Sequence, residues 1–159
     1  VVYFVNDTLN LINFDYADYV LKNIQRSTNS GVEIRYNWLG LNFDGNLIVR
    51  TQNPKDQDGN KLLRRSKNSV SINILKEISG YNMGINFSAF DQKVDFGNLQ
   101  LPGYGLVNMT FRKEVSETLV ASFKIENLMD KDYFTAASSN SYYLNQDRSF
   151  WLKFNYKLR

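Results

Sequence analysis

The feature that most constrains this chain is a period-two alternation of apolar and polar residues, kept in one parity for whole segments. Val32, Ile34, Tyr36 and Trp38 alternate with Glu33, Arg35 and Asn37. Leu41, Phe43, Leu47 and Val49 stand against Asn42, Asp44, Asn46 and Arg50, and Val70, Ile72, Ile74 and Ile78 against Ser71, Asn73 and Glu77. Met83, Ile85, Phe87 and Ala89 alternate with Gly84, Asn86 and Ser88. The pattern continues through 107–111 and 119–125, where Asn108, Thr110, Ser122 and Lys124 separate the apolar residues, and closes with Phe150, Leu152, Phe154, Tyr156 and Leu158. Successive side chains of a strand point to opposite faces, so each segment reads as a strand with one apolar and one polar face. With a less regular strand near 1–11, about eight strands follow, and the fold class is all-β and antiparallel.

Alternation alone fits a soluble barrel or sandwich with its apolar face inward. The spacers discriminate. Short ones (Gly40 with its neighbours, 78–82, 115–118) take turns with long polar ones (51–61, 93–103, 129–148). Outer-membrane barrels have this asymmetry, with tight periplasmic turns and long extracellular loops. The polar face is rich in Asn, Ser and Gly with Lys and Glu at intervals, which suits a wet or protein-plugged lumen. A Lys or Arg facing lipid at mid-membrane costs about 2–4 kcal/mol. Lys76 is the one clear intrusion on the apolar faces, and it adjoins the short turn at 78–82, where it can snorkel to the interface. The expected fold is therefore an antiparallel transmembrane β-barrel. Phe123 and Ile125 face lipid, Lys124 and Glu126 face the lumen, and the connection after Leu128 lies outside the cell if the last strand ends in the periplasm.

Composition excludes much else. The chain of 159 residues has no cysteine and no histidine, which removes disulfides, thiol nucleophiles, Ser-His-Asp triads and the usual zinc sites. A net charge of +3 with scattered basic residues gives no footprint for nucleic acid. No run approaches the roughly 18 apolar residues of a transmembrane helix, and the opening "VVYFV" has no signal-peptide pattern. Asp56 and Asp58, in "PKDQDGN", lack the spacing of a calcium loop and read as a turn. No acid–base or nucleophile set emerges, so neither an enzyme, a cofactor nor a metal site is expected.

Several motifs carry a resemblance. "IENLMDKDY" (125–133) resembles the Asn-Leu-Phe-Asp-Lys-Asp-Tyr signature in the penultimate strand of TonB-dependent outer-membrane receptors, with Met129 for the usual Phe. "SGVEIRY" (30–36) resembles their Gly-Val-Glu strand, and "KLLRRSKNSVSI" (61–72) is similar to a Leu-Leu-Arg-Arg segment of the cobalamin branch. "DRSFWLKFNYKL" (147–158) resembles the family's Gly-Arg-aromatic last strand, with Asp147 for Gly. The family usually ends on an aromatic residue, whereas here the last residues are Leu158 and Arg159. Such receptors are barrels of roughly 22 strands with a plugged lumen. The resemblance therefore implies that 1–159 is the C-terminal part of a larger barrel, with the plug domain absent. It also implies outer-membrane lipid around the barrel, cobalamin or a siderophore as ligand, and TonB as a partner acting through the missing plug.

By the same resemblance, Arg64 falls on a substrate-contacting position and Tyr143 on a ligand-touching tyrosine, with Tyr142 beside it. Phe96 stands where the cobalamin branch has a ligand-facing tyrosine, keeping the stacking surface without the hydroxyl. Each also has a structural reading: Arg64 with Arg65 as a pair anchoring the barrel wall, the tyrosines as loop packing or an interfacial aromatic belt. Two alternatives stay open: a ferric-siderophore receptor of the same superfamily, and a complete eight-stranded barrel, either outer-membrane or lipocalin-like.

Overall fold

The computed structural model describes residues 1–15, 18–40, 43–138 and 141–158. Leu41 and Asn42, expected near the head of the third strand, lie outside the described residues. Among the described residues twelve strands follow one another: β1 (Val2–Asp15), β2 (Val20–Trp38), β3 (Asp44–Asp56), β4 (Asn68–Ile78), β5 (Tyr81–Phe90), β6 (Lys93–Val94), β7 (Gln100–Leu101), β8 (Tyr104–Ser116), β9 (Leu119–Glu126), β10 (Phe134–Ser138), β11 (Ser141–Leu144) and β12 (Ser149–Tyr156). Eight of them form one sheet in the order β1-β2-β3-β4-β5-β8-β9-β12, every neighbour antiparallel. The remaining four make two small hairpins, β6–β7 and β10–β11, inside the long connections. β1 and β12 are the two edges of the sheet. A complete eight-stranded barrel would pair them, so that alternative does not describe this chain.

Register turns the alternation into two continuous faces. Val49 pairs with Ile34 and Val70, Ile72 with Phe87, Ile85 with Ile74 and Met109, and Phe123 with Phe111 and Leu152. Every one of these lies on the apolar face. Along it Phe111, Phe123 and Phe150 stack with centroids 6.3 and 6.2 Å apart. Gly45 lies on this face beneath the Trp38 indole, where an added Cβ would come within 2.2 Å of the ring, so only glycine admits the tryptophan there. On the opposite face Asn73 donates to Asn46 at 2.8 Å, Asn86 to Asn73 at 2.7 Å and Asn108 to Asn86 at 3.2 Å. This amide ladder crosses four strands. It satisfies side chains that would otherwise be half-buried and unpaired, each such bond adding about 0.5–1.5 kcal/mol.

The turns at one edge are tight. Ser79 and Gly80 both have positive φ (51° and 75°), the requirement of a two-residue type I′ hairpin matched to strand twist. Lys76 sits opposite Met83 beside that turn, and Lys113 shares its face and neighbourhood. Lys76 is thus not the single cationic intrusion that the sequence suggests. Lys113 is held over the Tyr81 ring, 4.1 Å from its centroid, and donates to the Tyr81 hydroxyl.

Two boundaries differ from the sequence reading. β2 begins at Val20 and β3 runs on to Asp56, so the long connection expected at 51–61 starts later. The early part of β2 does not alternate. It is held across the strands instead, where Asp7 accepts from Thr28 at 2.7 Å and from Arg26.

Candidate ligand-binding rim

Because sheet order follows chain order, the long connections that follow β3, β5 and β9 emerge from the same edge of the sheet. The tight turns at 79–80 and 117–118 lie at the other edge. Two buried polar residues organise the long-loop rim, and the sequence alone assigned this role to neither.

The first is Asp95, wholly buried. Its carboxylate accepts from Nε of Arg64 at 3.0 Å through both oxygens, from the Phe96 N–H at 2.8 Å and from the Ala137 N–H. Arg64 belongs to the β3–β4 connection, Asp95 and Phe96 to the β5–β8 connection, and Ala137 to the β9–β12 connection. One carboxylate therefore ties all three long loops together. Burial pushes the Asp95 carboxyl upward. The N–H groups of Ala137 and Phe96 and the Arg64 guanidinium outweigh it and hold the group below the ordinary carboxylate range. A backbone bond from Arg64 N–H to Val94 at 2.8 Å fixes the same junction, and Arg64 itself has positive φ (61°).

The second is Asn127, 4% exposed and with φ of 51°. Its side chain donates to the carbonyls of Lys131 (3.0 Å) and Gln146 (3.4 Å) and accepts from the Lys131 N–H (2.9 Å). Its own N–H donates to Asn108 at 2.9 Å, so the neck of the longest loop is the last rung of the amide ladder. Asp130 accepts from the Arg148 N–H at 2.8 Å and closes the same neck. The Asn-Leu-Met-Asp stretch is thus a clamp joining the two ends of the 127–148 connection.

Of the four residues expected to meet ligand, Arg64 and Phe96 bond to Asp95, and Tyr142 and Tyr143 lie on the hairpin whose Ala137 N–H donates to it. Arg64 is its ion-pair partner, with a side chain 47% exposed. Phe96 follows it and opens the short 3-10 turn Phe96–Asn98. Tyr142 pairs with Ala137, packs on Phe134 with centroids 5.3 Å apart and is 48% exposed. Tyr143 pairs with Ala136 on the other face of the hairpin and is 56% exposed. Arg64 and Arg65 were expected at the end of a strand; they lie in the connection before β4. Asp56 accepts from the N–H groups of Asp58 (3.0 Å) and Asn60 (2.8 Å), a turn as read from the sequence. Among the described residues no group of three acidic, His or Cys side chains is placed to hold a metal ion.

A two-faced antiparallel meander, open at both edges and with every long connection at one end, is a sector of a transmembrane β-barrel. Residues 1–128 match the family model described as TonB dependent receptor-like, beta-barrel, and the chain belongs to that family. It is therefore part of a bacterial outer-membrane receptor rather than an enzyme. The vitamin B12 transporter BtuB of Vibrio cholerae serotype O1 is 26% identical over 148 residues, 86% of this chain and 24% of that protein. The fold is that of the ferric yersiniabactin uptake receptor FyuA of Yersinia pestis (TM-score 0.76, 14% identity, 97% of this chain and 26% of that one). The ferric-catecholate import receptor Fiu of E. coli K12 is similar (TM-score 0.72, 16% identity, 97% and 24%). The chain thus spans about a quarter of the length of the relatives it matches.

Proposed function

We propose that this chain is the C-terminal sector of a receptor barrel for TonB-energised uptake of a large, scarce nutrient, with cobalamin as the substrate. Its apolar face meets outer-membrane lipid, its polar face lines the lumen, and the rim organised by Asp95 contributes to ligand capture. Energy coupling belongs to a plug domain, and no residue of this chain is given a role in it. The observation that carries the reading is that one carboxylate, Asp95, joins the three connections that bear Arg64, Phe96 and the Tyr142–Tyr143 pair. Residues distant in sequence are gathered at a single rim, with aromatic surface and a partly exposed guanidinium facing outward. Rigid amphipathic rings suit a large, partly apolar ligand, and a guanidinium suits its amide or phosphate oxygens. The sequence similarity to vitamin B12 transporters supports cobalamin. A ferric siderophore is the second reading, favoured by Phe96, which lacks the hydroxyl that the resemblance expects there.

The test uses the full-length receptor. Tyr143→Ala is expected to weaken cobalamin binding by about 1–3 kcal/mol, the range for a desolvated contact, with barrel assembly intact. Binding of a ferric siderophore and not of cobalamin by the unaltered receptor would replace the substrate while keeping the class.

A further inference from the structure

The cations of the long-loop rim are unevenly partnered. Arg64 is bound to Asp95, and Arg148 lies 3.5 Å from Asp130. Among the described residues, the side chains of Lys61, Arg65 and Lys67 have no hydrogen-bond or ion-pair partner. All three nevertheless line one cleft of about 60 Å³ between the β3–β4 and β5–β8 connections, together with Lys93, and no acidic side chain lines it. Lys93 is 9% exposed; its ammonium donates to the Tyr104 hydroxyl and rests 4.9 Å from that ring's centroid. Gln92 and Gln100 add amide donors to the wall.

The neighbouring carboxylates are bonded elsewhere, and only Asp91, from outside the lining, favours the charged form of Lys93. Asp56 is turned into its own loop, accepting from Asp58 and Asn60. Asp91 accepts from the Asn68 backbone and side chain at 2.9 and 2.8 Å and lies outside the lining. A further cation adds to the imbalance: Lys55 is bridged directly to Lys61 in an antiparallel pair. Like charges placed opposite one another destabilise a ladder. The arrangement therefore concentrates positive charge around a space that would hold one tetrahedral oxyanion, and is too small for a large ligand. Arg65 can offer a forked pair of donors to such a group, and the lysines compact point charges.

We propose that this cleft is an anion subsite that takes a phosphate group, either from a soluble phosphate or from the headgroup of a phosphorylated lipid. The test titrates inorganic phosphate into the full-length receptor in a zwitterionic detergent, followed by ³¹P line broadening. The combined variant Lys61→Gln, Arg65→Gln, Lys67→Gln is expected to bind phosphate at least about tenfold more weakly, as loss of charge-assisted hydrogen bonds requires. Lys113→Gln, at the opposite edge of the sheet, is expected to bind as the unaltered receptor does. Arg65→Gln alone should show a smaller loss, which keeps the test decisive if the triple variant assembles poorly. Unaltered affinity in the variants, equal loss in Lys113→Gln, or no phosphate binding by the unaltered receptor would overturn the proposal. Repeating the titration in vesicles with and without phosphorylated lipid separates the sources. Displacement of inorganic phosphate by that lipid identifies a headgroup, and its retention identifies a soluble anion.

Discussion

The sheet and the long-loop rim of this protein are stabilised in opposite ways. In the sheet, order is distributed: the pairing of Ile72 with Phe87 or of Ile85 with Met109 repeats a pattern every neighbour shares, and no single residue holds the register. In the rim, order is concentrated: Asp95 joins three connections and Asn127 closes the neck of the longest. The difference teaches where each region is vulnerable. A sheet of this kind tolerates loss of one polar rung but not a charge on its apolar face. The rim tolerates surface change but not loss of its buried hubs.

The largest expected effect breaks the sheet. Ile72→Lys, mid-strand on the apolar face, is expected to cost about 2–4 kcal/mol if that face meets lipid. Heat-modifiable migration of the full-length receptor should show impaired assembly, and normal assembly would remove the lipid assignment. Next comes the rim. Asp95→Ala leaves the buried Ala137 N–H without its acceptor and removes the Arg64–Asp95 ion pair, a local cost of about 1–3 kcal/mol. Proteolysis of intact cells should become faster within 127–148 while the barrel still assembles. Equal protease resistance would show that the three loops are held by something other than this carboxylate.

A pH effect sharpens the same contrast. The acidity of Asp95 is stronger in the folded rim than in a free chain, so its stabilisation is complete above the ordinary carboxylate value near 4. It is lost as pH falls from there through the lower folded value. Hydrogen exchange at Ala137 is expected to accelerate in that window and to be pH-flat in Asp95→Asn once intrinsic rates are removed. The smallest effect belongs to a single rung of the ladder. Asn73→Ala should cost about 0.5–1.5 kcal/mol for each bond lost, without change in assembly. A larger loss would mean that the polar face is as cooperative as the rim.

The sequence and the structure agree where a physical pattern is local. Alternation marks seven of the eight strands of the sheet, β1 being less regular, because each side chain's face is set by its own parity. The alternation of tight and long connections separates the two edges for the same reason. The early part of β2 was not legible, since the pairing of Thr28 and Arg26 with Asp7 leaves no periodic trace. The short hairpins β6–β7 and β10–β11 have strands of two to five residues, too brief for a period to appear. Asp95 was invisible because Arg64 and Ala137 lie 31 and 42 residues away. An aspartate immediately before Phe96-Gly97 carried only the signal of a turn. The Asn-Leu-Met-Asp stretch was recognised as a signature, but its work as a clamp depends on Gln146 and Arg148 at the far end of the loop.

The central claim is that the two faces of the sheet meet different media, lipid on one and an aqueous lumen on the other. Ile85 and Asn86 are adjacent in β5 and point to opposite faces, so they test it within a single residue step. The chain has no native cysteine, so spin labels can be placed at Ile85→Cys or Asn86→Cys with no competing thiol from this chain. In the full-length receptor in vesicles, power-saturation EPR should find the label at position 85 accessible to lipid-dissolved oxygen. The label at position 86 should be accessible to a water-soluble nickel chelate and shielded from oxygen. Shielding of position 85 from both reagents, with position 86 open to bulk water, would mean that the apolar face is an internal core and would contradict the account.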